Sequence, residues 1–230
     1  MKVHIYYPFL TGPWGGANQF LKAIKTYLYE HDLYEEDISK ADIVLVNSSP
    51  TALELNKLFT LKRTRKDLLL VNRIDGPVYL IRGRNPYIDK AFYIFNETFC
   101  DGTIFQSQWS REQNYALGMK KNKFETTIVN APDPKLFHKK DKKNLDKKSK
   151  IKIIATSWSD NWKKGFSVYQ WLDEHLDFEK YEMTFVGNSP VRFQNIILKS
   201  PMNSYDLASA LKEHAIFITA SERMIRVQML

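Results

Sequence analysis

Ile151-Lys-Ile-Ile-Ala-Thr-Ser-Trp-Ser-Asp-Asn-Trp-Lys-Lys-Gly-Phe-Ser-Val-Tyr-Gln-Trp-Leu172 is the stretch whose reading decides the fold class. Ile151–Ala155 is a short apolar run of strand length. Thr156–Gly165 is a polar loop of hydroxyls, an amide and two lysines. Phe166, Tyr169, Trp171 and Leu172 then suggest an amphipathic helix. A further strand, Met183–Val186, ends in Gly187. Uninterrupted apolar strands separated by amphipathic helices point to parallel sheets covered on both faces.

The same alternation runs outward in both directions. Upstream, Val3–Tyr7 reads as a strand, followed by the turn Thr11-Gly-Pro-Trp-Gly-Gly16 and a helix through Phe20, Leu21, Ile24, Tyr27 and Leu28. Asp42–Val46 is the next strand, and Ser49-Pro50 is a helix start. Leu68–Val71, Thr103–Gln106 and Thr126–Val129 are further strands, with a helix over Ile88–Phe95. Ser110-Arg-Glu-Gln113 has the spacing of a capping box that opens a helix. Downstream, Asn195–Leu198 reads as a short strand, a helix starts at Ser204, and Ala215–Thr219 is the last strand. The fold class is α/β, with two units predicted: 1–134 and 151–230, joined by a lysine-rich linker over 135–150.

The chain has 230 residues, a 43% hydrophobic fraction and a net charge of +8. That allows one large domain or two small ones with a real core. The charge is concentrated. Residues 135–152 hold nine lysines against Asp141 and Asp146, and so carry +7 of the total. The rest is close to neutral, and no nucleic-acid partner is expected, because no aromatic residue beyond Phe137 interleaves with the lysines. Lys135–Lys152 also allows a second reading: a basic surface for nucleic acid or anionic lipid on a non-catalytic chain. Cys100 is the only cysteine, which excludes an internal disulfide and a cysteine-based zinc site. The five histidines are scattered, so no metal site is predicted. No run approaches the roughly 20 apolar residues of a membrane span, and Met1–Pro8 reads as an opening strand rather than a signal peptide. The expected location is cytoplasmic, with room for peripheral contact at a membrane. Asn47-Ser-Ser49 and Asn96-Glu-Thr98 match the glycosylation triplet by chance on this reading.

Open parallel sheets bind ligands beyond the carboxyl ends of their strands. Four strand ends attract attention. Gly12, Gly15 and Gly16 either bring a ligand close to a helix N-terminus or form a plain strand-to-helix turn. Their spacing is not that of the dinucleotide fingerprint. Lys164, backed by Gly165, is either a phosphate ligand or solvated loop charge, and Gly187-Asn188 forms a similar turn. Arg73-Ile-Asp-Gly76 is either a surface ion pair or a polar cluster facing a cleft between the domains.

In this order, several pieces resemble a GT-B glycosyltransferase of the family-four (group 1) type. They are Gly-Pro-Trp-Gly-Gly16, Arg-Ile-Asp-Gly76, Phe-Gln-Ser-Gln-Trp-Ser110, Asn130-Ala-Pro-Asp-Pro-Lys-Leu-Phe137, Lys164-Gly165, Phe-Val-Gly187, and Asp206-Leu-Ala-Ser-Ala-Leu211 leading into Ile-Phe-Ile-Thr-Ala-Ser221. The resemblance implies two Rossmann-like domains, GT-B, facing across a cleft, the first binding the acceptor and the second a nucleotide-sugar donor. It implies transfer to a glycan or glycolipid with retention, no metal and no cofactor, the nucleotide-sugar being a substrate. On this basis Gly15, Gly16, Ser159, Lys164, Gly165, Gly187 and Asn188 bind the donor, Arg73 and Asp75 bind the acceptor, and Asp75 is the catalytic candidate. Lys164 and the glycine amides would stabilise charge on the leaving diphosphate.

Two departures from the family stand out. Many relatives carry an arginine five residues before the phosphate lysine, where this chain has Ser159. The family also continues with a Glu-x7-Glu helix after the last strand, whereas this chain runs on as Glu222-Arg-Met-Ile-Arg-Val-Gln-Met-Leu230. One codon choice for 223–230, read two bases on, encodes Asp-Asp-Pro-Cys-Thr-Asp-Ala, close to what relatives have there. The expectation is a frameshift after Glu222 and an incomplete second domain, inactive and with Ile216, Phe217 and Ile218 partly uncovered; the alternative is a genuine short tail.

Overall fold

The computed structural model describes residues 1–12, 16–47, 52–83, 85–138 and 149–221. Gly15, the helix start at Ser49-Pro50, most of the lysine-rich stretch and the segment from Glu222 onward lie outside the described residues. The chain divides into two compact units: among the described residues the first holds 1–10 and 16–131, and the second holds 11–12 together with 132–138 and 149–221.

The first unit is built on a five-stranded parallel sheet in the order β1 (Val3–Tyr6), β2 (Ile43–Asn47), β3 (Leu69–Ile74), β4 (Gly102–Phe105), β5 (Phe124–Thr127). β1 has a neighbour on its other edge as well. After α1 (Gly16–Glu30) the chain returns alongside it, with the Val3 N–H donating to the Leu33 carbonyl at 2.7 Å and the Glu35 N–H donating to the Val3 carbonyl at 3.0 Å. It then crosses to the opposite edge of β1 to form β2. The crossover through α1 therefore runs to one side of β1, and the crossover through α2, from β2 to β3, runs away from it on the other side. With a common right-handed sense, this puts their helices on opposite faces. Packing agrees: α1 covers Ile5 and Leu45 through Leu21 and Leu28, whereas α2 (Ala52–Thr64) and α4 (Tyr87–Phe99) cover Val44, Val46 and Leu70 through Leu58 and Phe95. β1 is thus the switch point of the sheet, the place where an open α/β sheet opens a crevice at its carboxyl end.

The second unit repeats the principle with four parallel strands in the order β8 (Ile197–Lys199), β7 (Tyr181–Gly187), β6 (Ile151–Ser157), β9 (Ile216–Ile218). α6 (Phe166–His175) packs Phe166 and Tyr169 on the face of Ile153, Ala155, Met183 and Phe185. α7 (Ser204–Glu213) packs Ala210 on the opposite face, against Ile154 and Val186. Here β6 is the switch point, with β7 on one edge and β9 on the other.

Several boundaries differ from the sequence expectation. The strand expected at Thr126–Val129 runs over Phe124–Thr127, and that at Asn195–Leu198 over Ile197–Lys199. A short helix α3 (Val78–Arg82) was not expected; the buried Asp89 carboxylate accepts its Val78 and Tyr79 N–H groups at 2.8 and 2.9 Å. The helix expected to open at Ser110 starts one turn earlier, as α5 (Gln108–Ala116). Its cap is Ser107, whose hydroxyl accepts the Ser110 N–H at 3.0 Å. Ser110 itself is buried and donates to the Ile74 carbonyl at 3.2 Å. The chain leaves β4 at Phe105 and turns at once, so the first hydroxyl at the right distance takes the cap. In β9, Ile216 is 41% exposed and Phe217 36%.

Candidate functional site

In the second unit the residues singled out from sequence gather around the carboxyl ends of β6 and β7. The Ser157 hydroxyl donates to the Ser159 carbonyl at 2.7 Å, the Ser159 hydroxyl accepts the Asn161 N–H at 3.2 Å, and the Asn161 side chain accepts the Lys163 N–H at 3.0 Å. Each link is a short polar side chain tied to backbone two residues away, which folds the loop onto itself. Asn188 closes the other side, donating its N–H to the Ser157 carbonyl at 3.1 Å and its Nδ2 to the Trp158 carbonyl at 2.6 Å. Ser159 and Asn188 therefore build the loop.

Two glycines are obligatory here. Gly187 has φ 139°, and a Cβ on it would collide with the Ser157 carbonyl. Gly165, at φ 87°, ends the turn and caps α6, and a Cβ there would collide with the Ala220 carbonyl. Only glycine combines these backbone angles with so close an approach. The Ala220 N–H donates to the Tyr169 hydroxyl at 3.1 Å, so the chain after β9 is fastened beside the start of α6.

Lys164 directly precedes Gly165 at the end of this turn and is half-buried rather than solvated. Among the described residues no carboxylate or hydrogen-bond acceptor pairs with its ammonium. Burial pushes its pKa down from the ordinary lysine value, because the charge has lost water without gaining a counterion.

In the first unit every strand end contributes a polar side chain to one cluster, and Arg73 is its centre. Only 1% of the Arg73 side chain is exposed. One guanidinium nitrogen donates to Asn47 Oδ1 at 2.6 Å and Asp75 Oδ1 at 2.7 Å. The other donates to Gln106 Oε1 at 3.2 Å and Asn130 Oδ1 at 2.9 Å. The guanidinium also lies over the Phe20 ring, 4.5 Å from its centroid. Arg73 Nε is buried without a partner. The Asp75 side chain is 33% exposed. Beside it, Tyr7 is held protonated to higher pH by its burial and by the Asp75 charge, with Arg73 opposing.

The Arg73–Asp75 pair is therefore no surface ion pair, and Arg73 has no donor on the surface to offer an acceptor. Asn47, Gln106, Asn130 and Tyr7 are members of this cluster that the sequence reading did not name as site residues, although Gln106 and Asn130 fall in the pieces that carry the resemblance. The signal available was that each lies at or within a few residues of the carboxyl end of a strand. Gly16 opens α1 in this unit with open space around its Cα. Among the described residues no group of three His, Cys, Asp or Glu side chains is placed to hold a metal ion, and no helix is long and apolar enough to cross a membrane.

No family model and no curated protein matches the sequence. Solved structures do match. The chain superimposes on Anabaena Alr3699/HepE in complex with UDP-glucose with a TM-score of 0.68 at 13% identity, covering 96% of this chain and 74% of that one. It matches TarM with a TM-score of 0.54 at 14% identity, over 85% of this chain and 39% of that one. For the OtsA apo structure the TM-score is 0.51 at 13% identity, over 90% and 58%. These are GT-B glycosyltransferases. At such identities the likeness is one of fold, and the chain has the GT-B fold, with two Rossmann-like units. It spans 39–74% of the lengths of these three structures.

Proposed function

We propose that the protein is a glycosyltransferase that takes a sugar from a nucleotide-sugar donor held by the second unit and passes it to a hydroxylated acceptor held by the first. The observation that carries this reading is Lys164, a half-buried cation with no partner among the described residues, on the loop that follows the switch-point strand of a parallel sheet. Such a charge is costly unless a ligand compensates it, and a diphosphate does. When the sugar leaves, negative charge grows on the diphosphate. The Lys164 ammonium and the positive N-terminal end of α6 stabilise it. The chemistry needs no metal in this scheme and retains the anomeric configuration. Asp75 receives the acceptor hydroxyl as a hydrogen bond. The acceptor is a glycan or glycolipid, and the lysine-rich stretch would bring the protein to an anionic membrane from the cytoplasmic side. UDP-glucose, the ligand of the HepE structure, is the first donor to try.

Calorimetric titration with UDP and UDP-glucose tests the donor site. The wild type should bind, and Lys164→Ala should lose about 10²-fold in affinity. Equal affinity in the two proteins removes Lys164 from the phosphate site, and a wild type that binds neither ligand removes the UDP-sugar reading.

A further inference from the structure

Just beyond the carboxyl end of β1 a tyrosine ring is fixed in place while its hydroxyl is left over. Tyr7 is the first residue after that strand, at the switch point of the sheet. Its ring packs against the core cluster that holds Ile5 and Leu21, and it meets the Phe9 ring edge-on with 5.4 Å between centroids. The Tyr7 hydroxyl has no hydrogen-bond partner among the described residues, and it is not closed off from solvent.

The backbone that carries this ring is pinned on both sides. The Tyr7 N–H donates to the Ile5 carbonyl at 3.1 Å. Three residues on, the buried Asn18 of α1 grips Leu10 twice: its Oδ1 accepts the Leu10 N–H and its Nδ2 donates to the Leu10 carbonyl, both at 3.1 Å. Lys22 Nζ donates to the same carbonyl at 2.5 Å. The Lys25 ammonium lies 5.3 Å from the centroid of the Phe9 ring. A hydroxyl held on a loop fixed in this way loses little freedom when it binds a ligand. Burial and the Asp75 charge keep the phenol protonated to higher pH than usual, with Arg73 opposing. It is therefore a neutral group that both donates and accepts, which matches another hydroxyl.

We propose that the Tyr7 hydroxyl binds a sugar hydroxyl of the acceptor, and that Asn18 is the positioning residue that holds Tyr7 in place through Leu10. The proposal rests on the reading of the first unit as the acceptor side, and it goes further by naming a contact residue and its support.

Ligand-observed NMR titration of the full chain with methyl glucoside and maltotriose tests this, with UDP affinity and thermal unfolding measured on every variant. The wild type should bind both sugars. Tyr7→Phe keeps the ring and removes one oxygen, so it should weaken the sugars roughly three- to tenfold, with UDP affinity and melting temperature unchanged. Asn18→Ala should also weaken the sugars, but it should add no loss in the Tyr7→Phe background, because its effect passes through the hydroxyl; a merely structural effect would add. In protein with isotope-labelled tyrosine, the resonance that vanishes in Tyr7→Phe should be one that shifts as maltotriose is added.

A Tyr7→Phe protein that binds the sugars as tightly as the wild type overturns the proposal and leaves the acceptor reading standing. An Asn18→Ala loss that persists undiminished in the Tyr7→Phe background removes Asn18 as the positioning residue. A wild type that binds neither sugar overturns the acceptor reading and this proposal with it, while UDP binding continues to score the donor site separately.

Discussion

The two units place a cation near the carboxyl end of the same kind of sheet and treat it in opposite ways. Arg73 in the first is surrounded by acceptors from four other residues and is closed to solvent. Lys164 in the second is also withdrawn from water but has no counterion among the described residues. A buried charge with its hydrogen bonds complete belongs to the architecture. A buried charge without them raises the energy of the ligand-free protein, and that energy is recovered when an anion arrives. The contrast separates scaffold from binding group more sharply than charge or exposure alone.

The strongest attack on the comparison is Arg73→Met. It keeps the length of the side chain and removes the guanidinium that Asp75 and three amide oxygens share, so it should cost about 3–5 kcal/mol of stability. Urea unfolding checks this; a loss under 1 kcal/mol would mean that Arg73 is not the keystone of the cluster. Lys164→Ala should do the reverse. Its nucleotide affinity falls by about 10²-fold, while its melting temperature stays at or above that of the wild type. Because burial lowers the Lys164 pKa, the ammonium is lost at lower pH than for an ordinary lysine. UDP affinity should therefore decline as pH rises, and this decline should be absent from Lys164→Ala.

A buried carboxylate sharpens the comparison within the second unit itself. Asp173 accepts the Gln194, Asn195 and Ile196 N–H groups at 2.7, 2.8 and 2.7 Å, which ties α6 to the segment before β8. Burial alone would raise its pKa, but these three hydrogen bonds outweigh it and hold the value below the ordinary 3.8. Asp173→Asn should cost about 2 kcal/mol, since one of the three donors then faces an amide nitrogen. The sign with pH follows from the lowered folded value. The contribution is complete above the unfolded pKa and is lost as pH falls through the folded one, so wild type and variant should converge in stability only in strong acid. The smallest effect belongs to Ser107→Ala, about 1 kcal/mol for one helix cap. A matched Ser110→Ala distinguishes the cap from the hydroxyl buried against Ile74.

Much of this was legible in the chain. The alternation of apolar runs and amphipathic segments yields the α/β class, because a strand covered on both faces cannot afford polar residues. Lys164 was legible too, since a lysine between a strand and a glycine-capped helix lies at a strand's carboxyl end in any parallel arrangement. The start of α5 was not. Ser107 and Ser110 both have capping chemistry, and only the point where β4 ends chooses between them. The role of Arg73 was equally hidden. From sequence, Arg73 and Asp75 are neighbours of opposite charge, which fits a surface pair as well as a buried one.

Sequence alone thus determined the kind of layers, the two-part organisation of the fold and the loop that carries Lys164, all of which depend on neighbours a few residues apart. Tertiary structure alone decided which cation is spent. Arg73 finds Asn47, Gln106 and Asn130 across separations of 26, 33 and 57 residues. Those groups meet only because β2, β3, β4 and β5 lie side by side in that order, and the order in which strands pair is a property of the whole sheet rather than of any segment within it.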